Sequence, residues 1–138
     1  MHQSVALSDA TVQDIQLELI RRTQFNAFNG EQVFASLMKH RALWTAVLLD
    51  RPGQSPPYGA ALLLTDGLIK LRDLPLGIWN ADTVYVLTSS IETASELARC
   101  IEVENWGGEV IVYEDRLETG AALGGTDEPH GLLTVWWN

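Results

Sequence analysis

The feature that most constrains the fold is a strand-helix-strand pattern in the C-terminal half of the chain. Residues 83–87 form a nearly continuous β-branched and apolar run, which is typical of a strand covered on both faces. Ser89 and Glu92 then have the spacing of a helix capping box, and apolar residues recur at helical intervals up to a Gly-Gly pair. Residues 109–113 predict a second buried strand. Together they predict a right-handed βαβ unit with two parallel strands.

The N-terminal part of the chain predicts two helices followed by a strand. Apolar residues at helical spacing indicate a first helix over residues 11–22, with Ser8 or Thr11 as its N-cap. Asn29 is the predicted N-cap of a second helix, which we expect to pack against the first as a helical hairpin. Residues 43–49 lose the helical period and contain strand-favouring residues, so they predict a strand.

Two further signals complete the predicted sheet. Asp66 and Gly67 stand between two short apolar runs, residues 61–65 and 68–71, which predicts a two-residue β-hairpin. Residues 132–137 predict a last strand at the edge of the sheet. The predicted fold class is α/β, with α+β as the alternative. We expect two N-terminal helices, a β-hairpin, a parallel βαβ unit and a C-terminal edge strand, with the strands in one mixed sheet.

Length and composition indicate a single domain over residues 1–138. A chain of 138 residues has the usual size of one domain and can bury a core without disulfides. The first residues lack the basic and apolar segments of a secretory signal, and no apolar run is long enough to span a membrane. Cys100 has no second cysteine with which to pair, which favours a reducing compartment. We therefore expect a cytoplasmic protein.

Negative charge is concentrated in the C-terminal part of the chain. Residues 1–91 contain eight acidic and seven basic residues, whereas residues 92–138 contain ten acidic and two basic residues. A surface of this sign repels phosphate backbones and anionic lipids. We therefore expect no nucleic-acid or membrane partner, and a basic protein is the favoured partner. The alternative is that the acidity serves only to keep the domain soluble.

Aromatic residues give a second indication of a binding surface. Trp136 and Trp137 are two of five tryptophans, and they are neighbours on the predicted last strand, so their rings point to opposite faces. One ring can enter the core, while the other needs a helix, a subunit or a partner to cover it. An edge strand with these residues could also pair with its copy in a homodimer. The predicted partner-binding residues are Glu102, Glu104, Trp106, Glu109, Trp136 and Trp137.

The sequence contains no motif that assigns a reaction. Its three histidines are isolated, and neither HExxH, paired His and Cys spacing nor GxSxG occurs. We therefore expect no metal and no cofactor. The favoured interpretation is a small, acidic, non-catalytic interaction module of the inhibitor, immunity or accessory-subunit type, which binds a basic protein.

A small-ligand or nucleotide site, with or without catalysis, is the alternative function. Ligands of parallel sheets bind beyond the carboxyl ends of the strands, where helix N-termini present free N–H groups. The residues at that place are Thr88, Ser89, Ser90, Glu114 and Asp115. Their hydroxyls could hold an anion, and the two carboxylates could hold Mg²⁺. A capping box and a solvated turn explain the same residues without any ligand.

Overall fold

The computed structural model describes residues 5–51, 68–125 and 128–138, in which helices pack on a sheet. The helices are α1 (Val12–Arg22), α2 (Gly30–Lys39), α3 (Leu68–Asp73), α4 (Ile91–Val103) and α5 (Arg116–Ala122). The strands are β1 (Gln24–Phe25), β2 (Phe28–Asn29), β3 (Ala46–Asp50), β4 (Thr83–Thr88), β5 (Glu109–Tyr113) and β6 (Gly131–Trp136). Within these described ranges, none of the helices has the length and apolar character that a membrane crossing requires.

The two N-terminal helices form the predicted helical hairpin. Thr11 caps α1 by accepting a hydrogen bond from the Asp14 N–H, and the Asp14 carboxylate accepts one from the Thr11 N–H. Asn29 caps α2 by accepting a hydrogen bond from the Gln32 N–H. The short antiparallel ribbon of β1 and β2 connects the two helices. The capping residues in the sequence therefore predicted where both helices begin.

The main sheet has the strand order β3-β4-β6-β5, and each neighbouring pair is antiparallel. β4 and β5 both pair with β6, so they run in the same direction without being neighbours. The predicted pairing of parallel strands is therefore wrong, and so is the predicted edge position of the last strand. A strand-helix-strand pattern determines strand direction, whereas the neighbour of each strand depends on contacts that are distant in sequence. β6 suits the centre, because Leu132, Leu133 and Val135 are all buried.

The predicted β-hairpin is wrong in the half that can be assessed. Residues 68–71 belong to α3, whereas the predicted first strand and turn, residues 61–67, lie outside the described residues. A run of four residues does not distinguish a short strand from a helical turn, which explains the error. The Lys70 ammonium lies 2.9 Å from a carboxylate oxygen of Asp50, so it links α3 to the last residue of β3.

The core lies between one face of the sheet, the inner face, and helices α1, α2 and α4. Its largest fully buried side chain is Trp137, which directly follows β6. The Trp137 and Phe28 rings pack edge to face at a centroid distance of 4.3 Å, and the Trp137 ring stacks on Trp106 at 6.2 Å. On the opposite, outer face, Leu48, Ile111 and Trp136 expose 45%, 53% and 42% of their surface. Among the residues that the structure describes, the outer face of the sheet is therefore only partly covered.

Candidate functional site

Two of the predicted partner-binding residues lie in the core, where a partner cannot reach them. Trp106 and Trp137 expose 2% and 0% of their surface. Trp106 Nε1 donates a hydrogen bond of 2.8 Å to Ser36 Oγ, and Trp137 Nε1 donates one of 2.8 Å to the carbonyl oxygen of Trp106. Because each indole N–H has a partner inside the fold, both side chains are satisfied as core residues.

Glu104, another residue of the predicted set, belongs to a hydrogen-bond network that joins the end of α4 to α2. One carboxylate oxygen accepts a hydrogen bond of 2.8 Å from Ser36 Oγ, and the other contacts His40 Nε2 and lies 3.5 Å from Lys39 Nζ. The hydrogen bond with His40 lowers the pKa of Glu104 below its ordinary value of 4.5, burial opposes this shift, and Ser36 adds to it. The network therefore requires the charged carboxylate.

Serine, histidine and glutamate are the residue types of a hydrolase triad, but their order here does not suit that chemistry. In a triad the histidine lies between the serine and the carboxylate, so that it can take the hydroxyl proton. Here the Glu104 carboxylate lies between Ser36 and His40, and Ser36 is 4% exposed. The three side chains consequently have a structural role.

We expect the substitution Glu104→Gln to lower the free energy of unfolding by about 1 kcal/mol at neutral pH, since it removes a charge-assisted network at a partly exposed position. The pKa of Glu104 is lower in the folded than in the unfolded protein. The contribution of its charge is therefore complete above the unfolded pKa, and it is lost as the pH falls through the folded value. Urea unfolding of both proteins from about pH 7 to about pH 3 should show the difference narrowing in acid.

Glu18, Asp50 and Asp73 also have lowered pKa values, so acid unfolding of the Glu104 variant has to be compared with that of the wild-type protein. Hydrogen bonds from Arg21 and Arg72 lower the pKa values of Glu18 and Asp73, respectively, to about 2. Their contributions to acid unfolding are the same in both proteins and cancel in the difference. A difference that stays constant over the whole pH range would contradict the role assigned to the Glu104 charge.

Within the described residues, ion pairs are more frequent among the acidic residues of the N-terminal part than among those of the C-terminal part, although Asp9, Asp14 and Asp82 also form none. In the N-terminal part, Glu18, Glu31, Asp50 and Asp73 each form an ion pair with an arginine or a lysine. The C-terminal glutamates that are exposed and have no ion pair with any residue the structure describes are Glu92, Glu96, Glu102, Glu109, Glu114 and Glu118. Glu92 and Glu118 lie in the first turns of their helices, where the helix dipole favours them. The others have no such stabilisation.

Three of these glutamates surround strand β5. Glu109 is its first residue, and Glu114 directly follows its last residue. Glu102 and Val110 line the same shallow groove of about 150 Å³, which lies between the end of α4 and the start of β5. We call β5 together with Glu102 and Glu114 the β5 edge. On the outer face, Glu109 is the direct cross-strand neighbour of the exposed Trp136.

Of the predicted partner-binding residues, the structure therefore brings Glu102, Glu109 and Trp136 to the surface near β5. Sequence reasoning missed that β5 forms an edge of the sheet, and it assigned Glu114 only to the alternative ligand site. A signal was present in the sequence, because acidic residues stand at both ends of this β-branched run. Charges placed in this way are typical of strands that must not aggregate.

The alternative ligand site loses the geometry on which it depended. The predicted ligand crevice requires β4 and β5 to be neighbouring parallel strands. In the structure β6 lies between them, with Gly131 aligned with Thr88 of β4. The Thr88 hydroxyl donates a hydrogen bond of 2.7 Å to the carbonyl oxygen of Ser90. Ser90, rather than the predicted Ser89, caps α4 by accepting a hydrogen bond of 3.1 Å from the Thr93 N–H.

The remaining residues of the alternative site also have structural roles or lie in solvent. Asp115 caps α5 by accepting hydrogen bonds of 2.8 and 3.3 Å from the N–H groups of Leu117 and Glu118. Ser89 and Glu114 are exposed. The hydroxyls and the carboxylates therefore do not converge on one point.

A larger groove of about 520 Å³ lies along α1. It is lined by apolar residues that include Leu7 and Ile15 and by the charged side chains of Asp14, Glu18, Arg21 and Arg22. Glu18 is paired with both arginines. Since these charges compensate one another, the groove offers a ligand no free polar group of this cluster.

Comparison with known proteins assigns no function to this chain. Comparisons of the chain with protein-family models, with curated proteins and with solved structures found no match. Within the residues that the structure describes, no three His, Cys, Asp or Glu side chains are placed together so that they could hold a metal ion. The function is therefore inferred from the charge and the geometry of the residues themselves.

Proposed function

We propose that the protein is a small, non-catalytic interaction module that binds a basic protein through the glutamates around the β5 edge. The observation that carries this proposal is the uncompensated charge: Glu102, Glu109 and Glu114 are exposed and have no cationic partner within the described ranges. A positively charged surface would supply the missing counter-charges, and it would be guided towards this side of the molecule during diffusional encounter.

Clustering of the free charges favours binding over a role in solubility alone. Charge that serves only solubility works best when both signs are mixed over the surface. The N-terminal part shows this arrangement, because Arg21 bridges Glu18 and Glu31. Exposed glutamates without counter-charges add to the net negative charge on this side of the molecule, and a cationic partner would compensate that charge.

The type of partner follows from the same surface. An acidic face on a small domain can cover a basic functional surface of another protein, which is the action of an inhibitor or an immunity protein. It can also attach the domain to a larger basic subunit as an accessory protein. All three types predict a salt-sensitive complex, because ion pairs at the rim of an interface are screened by salt.

The proposal is tested with two charge-matched variants of the full chain. The variant Glu102→Gln/Glu109→Gln removes two charges beside β5, and the control Asp9→Asn/Glu31→Gln removes two charges from the N-terminal part. Each protein is immobilised and exposed to an extract of its own source at low salt, and proteins released by salt are identified, purified and measured against all three baits. We expect binding to fall roughly tenfold for the β5 variant and to change little for the control.

Two outcomes would contradict the proposed function. One is equal binding of a purified partner to both variants, which would show that the location of the charge is irrelevant. The other is that no captured protein forms a salt-sensitive complex with the purified wild-type chain. Both variants replace exposed side chains, so matched thermal unfolding curves are the check that the fold is unchanged.

A further inference from the structure

The main sheet has two edges, and the structure closes one of them. At the β3 edge, the N–H and the C=O of Val47 each form a hydrogen bond of 2.9 Å with the side-chain amide of Gln13. The N–H of Leu49 donates a hydrogen bond of 2.9 Å to the side-chain oxygen of Gln16. Both glutamines belong to α1, so this helix takes the place of a neighbouring strand and no further strand can pair there.

The hydrogen bonds of β6 determine which backbone groups of β5 face outward. The Trp137 N–H donates a hydrogen bond of 3.0 Å to the carbonyl oxygen of Asp82, on the β4 side of β6. In an antiparallel sheet, the N–H and the C=O of one residue point to the same side, and this side alternates along the strand. The backbone groups of Trp136 and Thr134 therefore point towards β5.

The same alternation applies to β5. Glu109 and Ile111 are aligned with Trp136 and Thr134, so their backbone groups point back towards β6. The N–H and C=O groups of the intervening Val110 and Val112 consequently point away from the sheet. Among residues 5–51, 68–125 and 128–138, no hydrogen bond reaches these outward groups. This edge is ready to pair with another strand.

The side chains along β5 indicate the chemistry of such a strand. On the outer face, Ile111 is 53% exposed and Glu109 precedes it at the same face of the strand. Glu102 borders the groove next to Val110, and Glu114 lies at the far end of β5. An added strand would therefore have a carboxylate near each end and an apolar side chain at its centre. Lysine or arginine residues around an apolar position complement this arrangement.

We propose that an extended, basic segment of the partner protein adds to the sheet as a strand along β5. Its backbone forms hydrogen bonds with the outward N–H and C=O groups of Val110 and Val112, and its cationic side chains pair with Glu102, Glu109 and Glu114. This inference rests on the proposed function, and it specifies the mode of binding. A second copy of the chain fits less well, because it would bring the same glutamates of two molecules together.

The test uses the full chain, labelled with ¹⁵N, and two synthetic peptides. The first peptide, Lys-Lys-Val-Val-Val-Lys-Lys, has cationic side chains at both ends and apolar side chains at its centre, as the proposed segment requires. The second has the same sequence with all three valines N-methylated, so it keeps the charge but loses donors on both sides of the central part of the strand. We measure binding by amide chemical shifts at low salt, and we measure the hydrogen exchange of each backbone amide of β5.

The result expected in the free protein is alternation, with fast exchange at Val110 and Val112 and slow exchange at Ile111. With the first peptide, exchange at Val110 and Val112 becomes slow. The N-methylated peptide binds at least about tenfold more weakly and leaves these amides fast, because its central residues cannot donate hydrogen bonds on either side. These three results together support strand addition.

Three other results would overturn it. Slow exchange at Val110 and Val112 in the free chain would mean that this edge is already paired, and light scattering would then show whether a second copy pairs with it. Equal binding of both peptides would mean that charge alone attracts them. This result would reject strand addition but would not contradict the proposed role of the acidic surface. Absence of binding by either peptide would also reject strand addition, whereas the proposed function depends on the separate comparison of the two charge variants.

Discussion

We expect Trp137→Ala to lower the free energy of unfolding by about 4 kcal/mol, whereas Trp136→Ala, one position earlier, lowers it by less than about 1 kcal/mol. Trp137 is completely buried, stacks on Trp106, packs edge to face with Phe28 and donates its indole N–H to the carbonyl oxygen of Trp106. Its removal leaves a large cavity and an unpaired buried carbonyl group. Trp136 is 42% exposed on the outer face of the sheet.

Urea unfolding of the two alanine variants, followed by far-ultraviolet circular dichroism, measures this difference directly. The two substitutions delete the same side chain from adjacent positions, so each is the control for the other. A larger loss for Trp136→Ala than for Trp137→Ala would mean that β6 is displaced by one residue from the register described, because such a displacement moves every side chain to the opposite face. Equal losses would contradict the different burial of the two rings.

This pair of tryptophans shows how far local reasoning reaches. The two-residue period of a strand predicts that Trp136 and Trp137 point to opposite faces, and the structure confirms it. The helix starts at Thr11 and Asn29 were predictable for the same reason, since a cap and its helix are separated by only a few residues. Where the physical cause is local, the sequence was informative.

The order of the strands has a cause that is not local. β4 and β5 each carry a buried-type sequence, and the helix between them predicts a common direction, which is correct. The structure places β6 between them, with Val135 aligned with Val84 on one side and with Val110 on the other. Both arrangements bury the same apolar residues, so composition and periodicity do not distinguish them. The edge position of β5 was unpredictable for the same reason.

The negative charge of the candidate site could be predicted from the sequence, but the residues that form the site could not. The excess of acidic residues after position 91 is visible by counting, and it indicates a basic partner. Which carboxylates stay free depends on the folded chain. Glu104 contacts His40, which is 64 positions away in sequence, and lies 3.5 Å from Lys39, while Glu102 and Glu109 remain unpaired within the described residues. Distinguishing a carboxylate that is paired within the described residues from one that is not therefore required the three-dimensional contacts.

We expect Gly131→Ala to lower the free energy of unfolding by about 3 kcal/mol, which is the second large effect. The reason is that β6 fills the position between β4 and β5. Gly131 begins β6 opposite Thr88, and a Cβ atom there would overlap the carbonyl oxygen of Ser90 and the Thr88 hydroxyl. The carbonyl belongs to the N-cap of α4 and cannot move without displacing that helix. The substitution therefore acts where the predicted ligand crevice would have been open.

Gly107→Ala is the matched control for this substitution. Gly107 has a positive φ of 82°, but an added Cβ would meet no atom within 4 Å, so only backbone strain of about 1 kcal/mol is expected. Thermal or urea unfolding of both variants separates steric overlap from conformational strain. If Gly131→Ala costs no more than Gly107→Ala, β6 does not fill the space between the ends of β4 and β5. A crevice beside Thr88 and Ser90 would then be available, and the small-ligand alternative would regain the geometry that the structure denies it.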